Sequence, residues 1–428
     1  MQYPSYTRLA ITLGTLTSLV VVGSPGWAQD TTTWGWLRNR GGSAAAETTG
    51  RDLSRRFEAL APKVVRSAQI KPGDVVAIRG GPHMVPAMEA FAIEVHKTGG
   101  LPLLLLESPR VFRSYLTEVP DQYLGRTSRP WQDFQAEGVD VEFNLPVFEN
   151  FLQTLADVPT ERQGKVFAAF GASQAPLTAR RNRNKMRRLS FAAPPTSSDV
   201  TQAGLDSSTY TRMYDKALNA DYEAIAKLGR AVQQALEGAR QVRITTREGT
   251  DLTFAVRGRE VILDAGLVRP GSAGLLAARS GQLPGGAVRF APVEGSVNGK
   301  IRASRDQCDQ PVKDEQIDVR AGMPENVRAA SDEACVQEAV KRAGRFGWVQ
   351  IGLNPALRVS DANANLTSPL LDLGAGAVTV NFGTNDELGG ENKTSGGGWV
   401  VVLPRATVEA DGKLIVRNGR LDPRGYSR

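Results

Sequence analysis

Histidine and cysteine are nearly absent: the 428-residue chain carries two of each. His83 and His96 both lie early, so nothing after residue 96 can offer an imidazole to a metal or a nucleophile. Two cysteines and two histidines do not make a Cys/His metal cluster. There is no Gly-x-Ser-x-Gly elbow, and a Ser-His triad would have to recruit His83 or His96 across domains. The spaced glycines of a dinucleotide fingerprint are missing after the first predicted strand, where only Gly80-Gly81 stands. Past residue 28 no long apolar run occurs, so no membrane span is expected in the mature chain. Aromatic residues make up 7% and are not interleaved with basic ones on a recognisable module, which argues against nucleic acid as a partner.

What is present begins with an address. Arg8, an apolar run from Leu9 to Gly23 and the small-x-small triplet Gly26-Trp27-Ala28 form a secretory signal peptide, expected to be cut after Ala28. Residue 29 is glutamine, so no lipidated cysteine follows the cut. A periplasmic or secreted protein is expected. In an oxidising compartment Cys308 and Cys335 are expected to pair, stapling a polar segment, Asp306 to Glu333, with few apolar anchors of its own. Such a bond is worth on the order of 3 kcal/mol in the chain-entropy model. The formal charge of +7 falls to +6 without Arg8, and Arg180, Arg181, Arg183, Lys185, Arg187 and Arg188 alone carry six positive charges. The high pI is therefore local, and the patch reads as a solvated basic loop or an acidic-partner contact.

The hydrophobic content of 41% over this length suits two domains. Residues 29–50 read as a poorly ordered lead-in. Helical spacing over Arg51–Ala68 is followed by the Lys71-Pro-Gly-Asp turn, a strand from Val75 to Gly80, a helix from Val85 to Thr98 and a continuous apolar, buried strand from Leu101 to Leu106. That order predicts a right-handed βαβ crossover and a parallel sheet. Val166–Phe170 and Leu189–Ala193 are candidate further strands. After Pro194-Pro195, Thr209–Glu237 reads as one long amphipathic helix. Gln241–Thr246 and Asp251–Val256 form a hairpin around Glu248-Gly249-Thr250, and short strands with glycine turns follow. A helix lies within Ala329–Gly344, and late strands cover Val400–Leu403 and Lys413–Val416. The fold class is an α/β Rossmann-like N-terminal domain, 51–200, joined to an α+β, largely antiparallel-sheet C-terminal domain, 201–428.

One stretch organises the chain: Gly281 to Gly299, GQLPGGAVRFAPVEGSVNG, in which turn, strand and turn would form a rim from which a site can hang. It resembles the signature of the aminopeptidase T family of metallopeptidases. The resemblance continues through the KPGD turn, the Pro-Pro-Thr segment, the REGTDLTF hairpin, RFGWVQIGLNP (Arg345–Pro355), GAVTVNFG (Gly376–Gly383) and the Gly389-Gly390 loop with Asn392. It implies a Rossmann-like domain joined to a sheet-rich one, a homodimer, and a pair of divalent metals held by carboxylates and imidazoles. The ligand positions are substituted. The first glutamate falls at Ala287, the second at Trp348, the histidine of the next strand at Thr379, and the closing His-x-Asp pair at about Gly397 and Trp399; the tyrosine position falls near Asp386. Related iron-dependent ring-cleaving dioxygenases of this fold need histidine and aspartate there too. No metal or other cofactor is therefore expected, and a tryptophan at 348 would fill part of the metal cavity with apolar surface.

The polar groups that remain are Thr379, Asn381, Asn385, Asp386, Glu387, Glu391 and Asn392, with Glu294 nearby in sequence pattern. They read either as a hydrogen-bonding pocket, or weak oxygen site, or as a solvated turn-rich loop. The leading expectation is an aminopeptidase-like protein without the metal pair that binds a peptide or small polar ligand. The alternatives are a working hydrolase rebuilt on Asp386, Glu387, Glu391 or Glu294, and a structural or partner-binding dimer.

Overall fold

The computed structural model describes residues 50–425 apart from 127, 149–153, 156, 160, 167–168, 170–179, 181–182, 184, 195–199, 201–204, 269–278, 306–311, 359–369 and 394–397. The expected signal peptide and nearly all of the lead-in, Cys308 and Gly397 lie outside the described residues. Among the described residues no helix is long and apolar enough to cross a membrane.

The first sheet is parallel, in the order β2-β1-β3-β4-β8. Its strands are β1 (Val75–Gly80), β2 (Leu101–Leu106), β3 (Val141–Asn144), β4 (Arg187–Phe191) and β8 (Ser280–Leu283). The helices Gly50–Ala68 and Val85–Lys97 cover one face, where Phe57, Phe91, Phe143 and Phe191 meet with ring centroids 4.7–5.5 Å apart. On the other face Phe134 of the helix Arg129–Glu137 packs beside Ala77 and Met186. The crossover from β1 to β2 is as the sequence predicts, but β2 is not buried. It is the sheet edge, and Leu101, Leu104 and Leu106 are about half exposed. A continuous apolar run cannot by itself separate a central strand from an edge, and Pro102, which has no N–H to give a further neighbour, marks the edge. Residues 161–166 are helical, so Val166 does not begin a strand.

Two antiparallel sheets follow. The larger runs β12-β11-β10-β6-β5-β16-β17-β18. It comprises β5 (Val242–Thr245), β6 (Asp251–Phe254), β10 (Asn298–Arg305), β11 (Val312–Arg320), β12 (Met323–Arg328), β16 (Thr407–Ala410), β17 (Lys413–Arg417) and β18 (Arg420–Leu421). The smaller runs β15-β14-β13-β9-β7, from β7 (Val261–Asp264), β9 (Ala287–Phe290), β13 (Phe346–Gly352), β14 (Val378–Phe382) and β15 (Trp399–Leu403). Phe254 lies 6.1 Å from Phe290 and 6.3 Å from Phe346, which joins the two sheets through one apolar core. The polar segment from residue 306 is not a loose loop throughout, since Val312–Arg320 and Met323–Arg328 are paired strands. Their alternation hides in a charged sequence because only one side of β11 is buried, through Val312, Glu315, Ile317 and Val319.

The predicted long helix is two, Ser207–Leu218 and Tyr222–Leu236. Asp221 starts the second: its carboxylate accepts from the N–H groups of Glu223 and Ala224 at 3.1 and 3.0 Å. The apolar spacing runs through this break unaltered, so periodicity alone joins the two.

The stretch 281–299 is not a rim but a buried joint. Gly281–Leu283 close the parallel sheet, Leu283-Pro284-Gly-Gly turns, and Ala287–Phe290 enter the smaller antiparallel sheet. A strand from after residue 201 thus completes the first sheet. The turn is held from three sides. Gly285 N–H donates to the Tyr222 hydroxyl, Asn354 Nδ2 donates to Gly285 O at 2.8 Å, and Leu353 N–H donates to Gly286 O at 2.9 Å.

Candidate functional site

Strand periodicity divides the smaller antiparallel sheet into two faces. Val288, Phe290, Val349, Ile351, Val378, Val380, Phe382 and Val401 turn to the core. The other face carries the residues between them. Register sets Thr379, Gln350, Arg289 and Ile262 in one row across four strands, with Asn381 opposite Trp348 on one side of it and Ala287 opposite Gly352 and Asp264 on the other. Three of the substituted positions, Ala287, Trp348 and Thr379, therefore share a face. Trp399 does not. It belongs to the core side, and its Nε1 donates to Glu315 Oε1 at 2.5 Å.

Arg289 is the charged centre of this face. It is only 9% exposed, and burial lowers its pKa. Its Nε and Nη2 both donate to Gln350 Oε1, at 3.0 and 2.5 Å, and Gln350 Nε2 passes the chain on to Asp372 O at 3.1 Å. The guanidinium carbon sits 5.5 Å from the centre of the Trp348 ring, in cation–π range. Nη1 makes no hydrogen bond among the described residues. Asp264 and Glu387 supply the nearest opposing charge. Asp264 is itself pushed up by burial, although the Gly266 and Gln282 N–H groups donate to its Oδ1 at 2.9 and 3.2 Å.

Around this cation several buried polar atoms lack partners. Trp348 Nε1, Thr379 Oγ1 and Asn381 Nδ2 belong to side chains no more than 2% exposed, and none has a hydrogen-bond partner among the described residues. An indole N–H and an amide NH2 can only donate; the hydroxyl can do either. A buried polar group left unpaired costs about 1–3 kcal/mol, so a face with three marks a place where something else completes the bonding. Below Trp348, Ile262, Ala291 and Leu388 close an apolar patch.

The other candidates serve a different purpose. Glu294 is 4% exposed and accepts from Asn385 Nδ2 at 3.0 Å and from the Glu391 N–H at 2.7 Å, while Arg259 pairs with its second oxygen. Burial alone would raise its pKa, but these donors hold it below the usual value. Asn385 Oδ1 accepts from the Asn392 N–H, and Asn392 Nδ2 donates to Phe346 O at 2.8 Å. Glu294, Asn385 and Asn392 are thus spent on holding the loop 384–392 against the sheet. Asp386 and Glu391 are exposed at its surface, and Asp386 accepts from the Thr384 hydroxyl. Of the eight candidate residues, the structure brings Thr379 and Asn381 together with Trp348 on the face and places Glu387 near Arg289; the remaining five belong to the loop and its anchor. Arg289, Gln350 and Asp264 were not anticipated. The signal for Arg289 was one arginine inside an apolar strand, AVRFAP, two residues from Ala287 and so on its face.

Two of the six basic residues of the segment are held in ion pairs. Arg180 pairs with Asp133 and Glu137, and Arg187 with Asp74. Cys335 lies in the first turn of the helix Glu333–Ala343, and its expected partner is outside the described residues.

The residues do not fit a pair of divalent metals. Such ions need several anionic or lone-pair donors, and at the ligand positions of the resemblance that share this face stand an alanine, an indole and a threonine, beside the Arg289 guanidinium. Among the described residues no three of histidine, cysteine, aspartate and glutamate come together.

The parallel sheet, two antiparallel sheets and their joint define a two-domain α/β protein of aminopeptidase-like fold. Wild-type AmpT from Thermus thermophilus is similar with a TM-score of 0.60 at 17% identity, over 86% of this chain and 99% of that one. A 2,5-dihydroxypyridine dioxygenase from Pseudomonas putida KT2440 is similar with a TM-score of 0.57 at 15% identity, over 89% and 100%. These identities establish a shared fold alone, and one fold can host unrelated chemistries. No family model and no curated protein matches the chain.

Proposed function

We propose that this is an exported binding protein of aminopeptidase-like fold that takes a ligand bearing a carboxylate, a peptide end or a small organic acid, without a metal pair. The carrying observation is the donor character of the face. A buried guanidinium with one nitrogen uncommitted among the described residues lies among an indole N–H, an amide NH2 and a hydroxyl that have no partners there either. Donors around a cation call for an acceptor-rich anion, and arginine suits a planar carboxylate. The same charge would repel a divalent ion. Export, a Cys308–Cys335 disulfide and a homodimer belong to the same proposal, supported by the N-terminal pattern, the cysteine count and the resemblance respectively.

The test is calorimetric titration of the EDTA-treated protein with alanylalanine and with its C-terminal amide. The acid should bind and the amide should not. Arg289→Gln should weaken the acid by about 10- to 100-fold, the worth of a charge-assisted bond. Equal binding of acid and amide, or an unaffected Arg289→Gln, would refute the assignment.

A further inference from the structure

The parallel sheet ends on a strand whose outer side pairs with no other strand among the described residues, β2. Open edges are usually blunted by charge, yet Leu101–Leu106 reads LPLLLL, with Leu101, Leu104 and Leu106 about half exposed. Which backbone groups point outward follows from the inner bonds. The Leu101 N–H donates to Asp74 O at 2.8 Å and the Glu107 N–H to Gly80 O at 3.0 Å, so the odd-numbered residues bond to β1. Pro102, Leu104 and Leu106 therefore turn their backbone groups to the open side. Their side chains lie on the face covered by the helix Val85–Lys97, because Leu105 packs with Phe134 beside Ala77 on the other face.

This edge is complementary to itself. A two-fold axis at Leu104 sets it opposite Leu104 of a second copy, each giving its N–H to the other's carbonyl, and sets Leu106 opposite Pro102, where the Leu106 N–H meets the Pro102 carbonyl. Every outward N–H of the strand is then used, and the missing N–H of Pro102 forfeits one bond at each end. The same axis matches charge on the helix Val85–Lys97. Its exposed residues Glu89, Ile93 and His96 fall within about 40° of one another around the helix. Phe57 of the helix Gly50–Ala68 packs on Phe191 of β4, so that helix lies on the side away from β2. A right-handed crossover turns the Glu89–His96 stripe to the open side. Leu104 stands about 10 Å along the strand from Leu101, and the middle of the stripe about 7 Å along the helix from Lys97, so the two centres are nearly level. Helices related by the axis run antiparallel, with Glu89 of each opposite His96 of the other and Ile93 between.

We propose that two copies of this chain join antiparallel along β2, centred on Leu104 and flanked by two Glu89–His96 pairs, so that their five-stranded sheets become one of ten strands. The contact is isologous and closes on itself, which leaves neither edge open for further growth. It covers the apolar row Pro102, Leu104 and Leu106 of both copies with the same row of the other. The inference deepens the homodimer proposed above by giving it an interface, and it can fail while that homodimer stands.

The experiment is sedimentation velocity on the purified full chain over a range of concentrations. The wild type should be a dimer, and Leu104→Lys, which sets two ammonium groups against each other at the axis, should raise the dimer Kd at least about 100-fold. A second readout lies on the helix surface and decides the matter if the lysine variant does not fold. His96→Glu, which faces Glu89 of the other copy, should weaken the dimer at least about tenfold, and adding Glu89→His should restore it. A monomeric wild type would overturn this inference and the homodimer together. A dimer that Leu104→Lys or His96→Glu leaves unmoved, or a His96→Glu loss that Glu89→His does not recover, would overturn this interface alone and place the dimer contact elsewhere.

Discussion

Thr379 has a hydroxyl with no exposure and no partner among the described residues, and a fold gains nothing from it. Replacing it with the near-isosteric valine should raise the unfolding free energy by about 1 kcal/mol in urea titrations while weakening carboxylate binding. A loss of stability instead would mean that the hydroxyl serves the fold. Trp348→Phe separates the roles in the same way: its Nε1 has no partner among the described residues, so the stability lost should be only the cost of the smaller ring, about 1–3 kcal/mol, while carboxylate binding weakens. Glu107 gives a prediction in pH. Burial raises its pKa to about 7, against the pull of Arg79, whose guanidinium lies 3.2 Å away. The folded state therefore binds the proton more tightly than the unfolded one. Stability should fall as pH rises from about 4.5 through about 7 and level off above, by about 3 kcal/mol at most. Glu107→Gln should remove that slope; a wild-type stability that rises across this window would contradict the assignment.

At the scale of elements, the loop 384–392 depends on Glu294 and Asn385. Asn385→Ala would strip Gly347 O and one Glu294 oxygen of a donor, and should cost about 1–3 kcal/mol, with faster hydrogen exchange across 384–392 than elsewhere. Uniform loss without local exchange would count against this loop being pinned by that pair. The joint at Leu283-Pro284-Gly285-Gly286 is less forgiving. A Cβ at Gly285 would lie 2.1 Å from Gln282 O and 2.8 Å from Gly266 Cα, both backbone, so Gly285→Ala should destabilise by several kcal/mol or prevent folding, read by urea unfolding. The elements themselves were largely legible. The turn at Lys71, the β1 crossover and the Glu248 hairpin each had a local signal, glycine, proline or strict alternation. The break before Asp221 did not stand out, since a capping aspartate looks like any surface residue until the backbone around it is known. The exposure of β2 had one local sign, Pro102, but the apolar run around it reads the same in a buried strand, because neighbours in a sheet are set by tertiary pairing.

For the whole molecule, the same division explains what the sequence told of the site. Ala287, Trp348 and Thr379 could be placed against the resemblance, because single positions in motifs survive reading one strand at a time. The role of Arg289 could not, since it rests on register between β9, β13 and β14 and on an indole brought in from another strand. A fold shared at 15–17% identity with proteins of different named activities leaves the chemistry to these few side chains. The most direct measurement is metal stoichiometry and ligand binding on one sample: elemental analysis of the purified protein after manganese or zinc supplementation, followed by titration with alanylalanine with and without EDTA. The account predicts well under one metal per chain, one carboxylate site and the same Kd with and without chelator. Two metals per chain, with binding or release of N-terminal residues that EDTA abolishes, would contradict it.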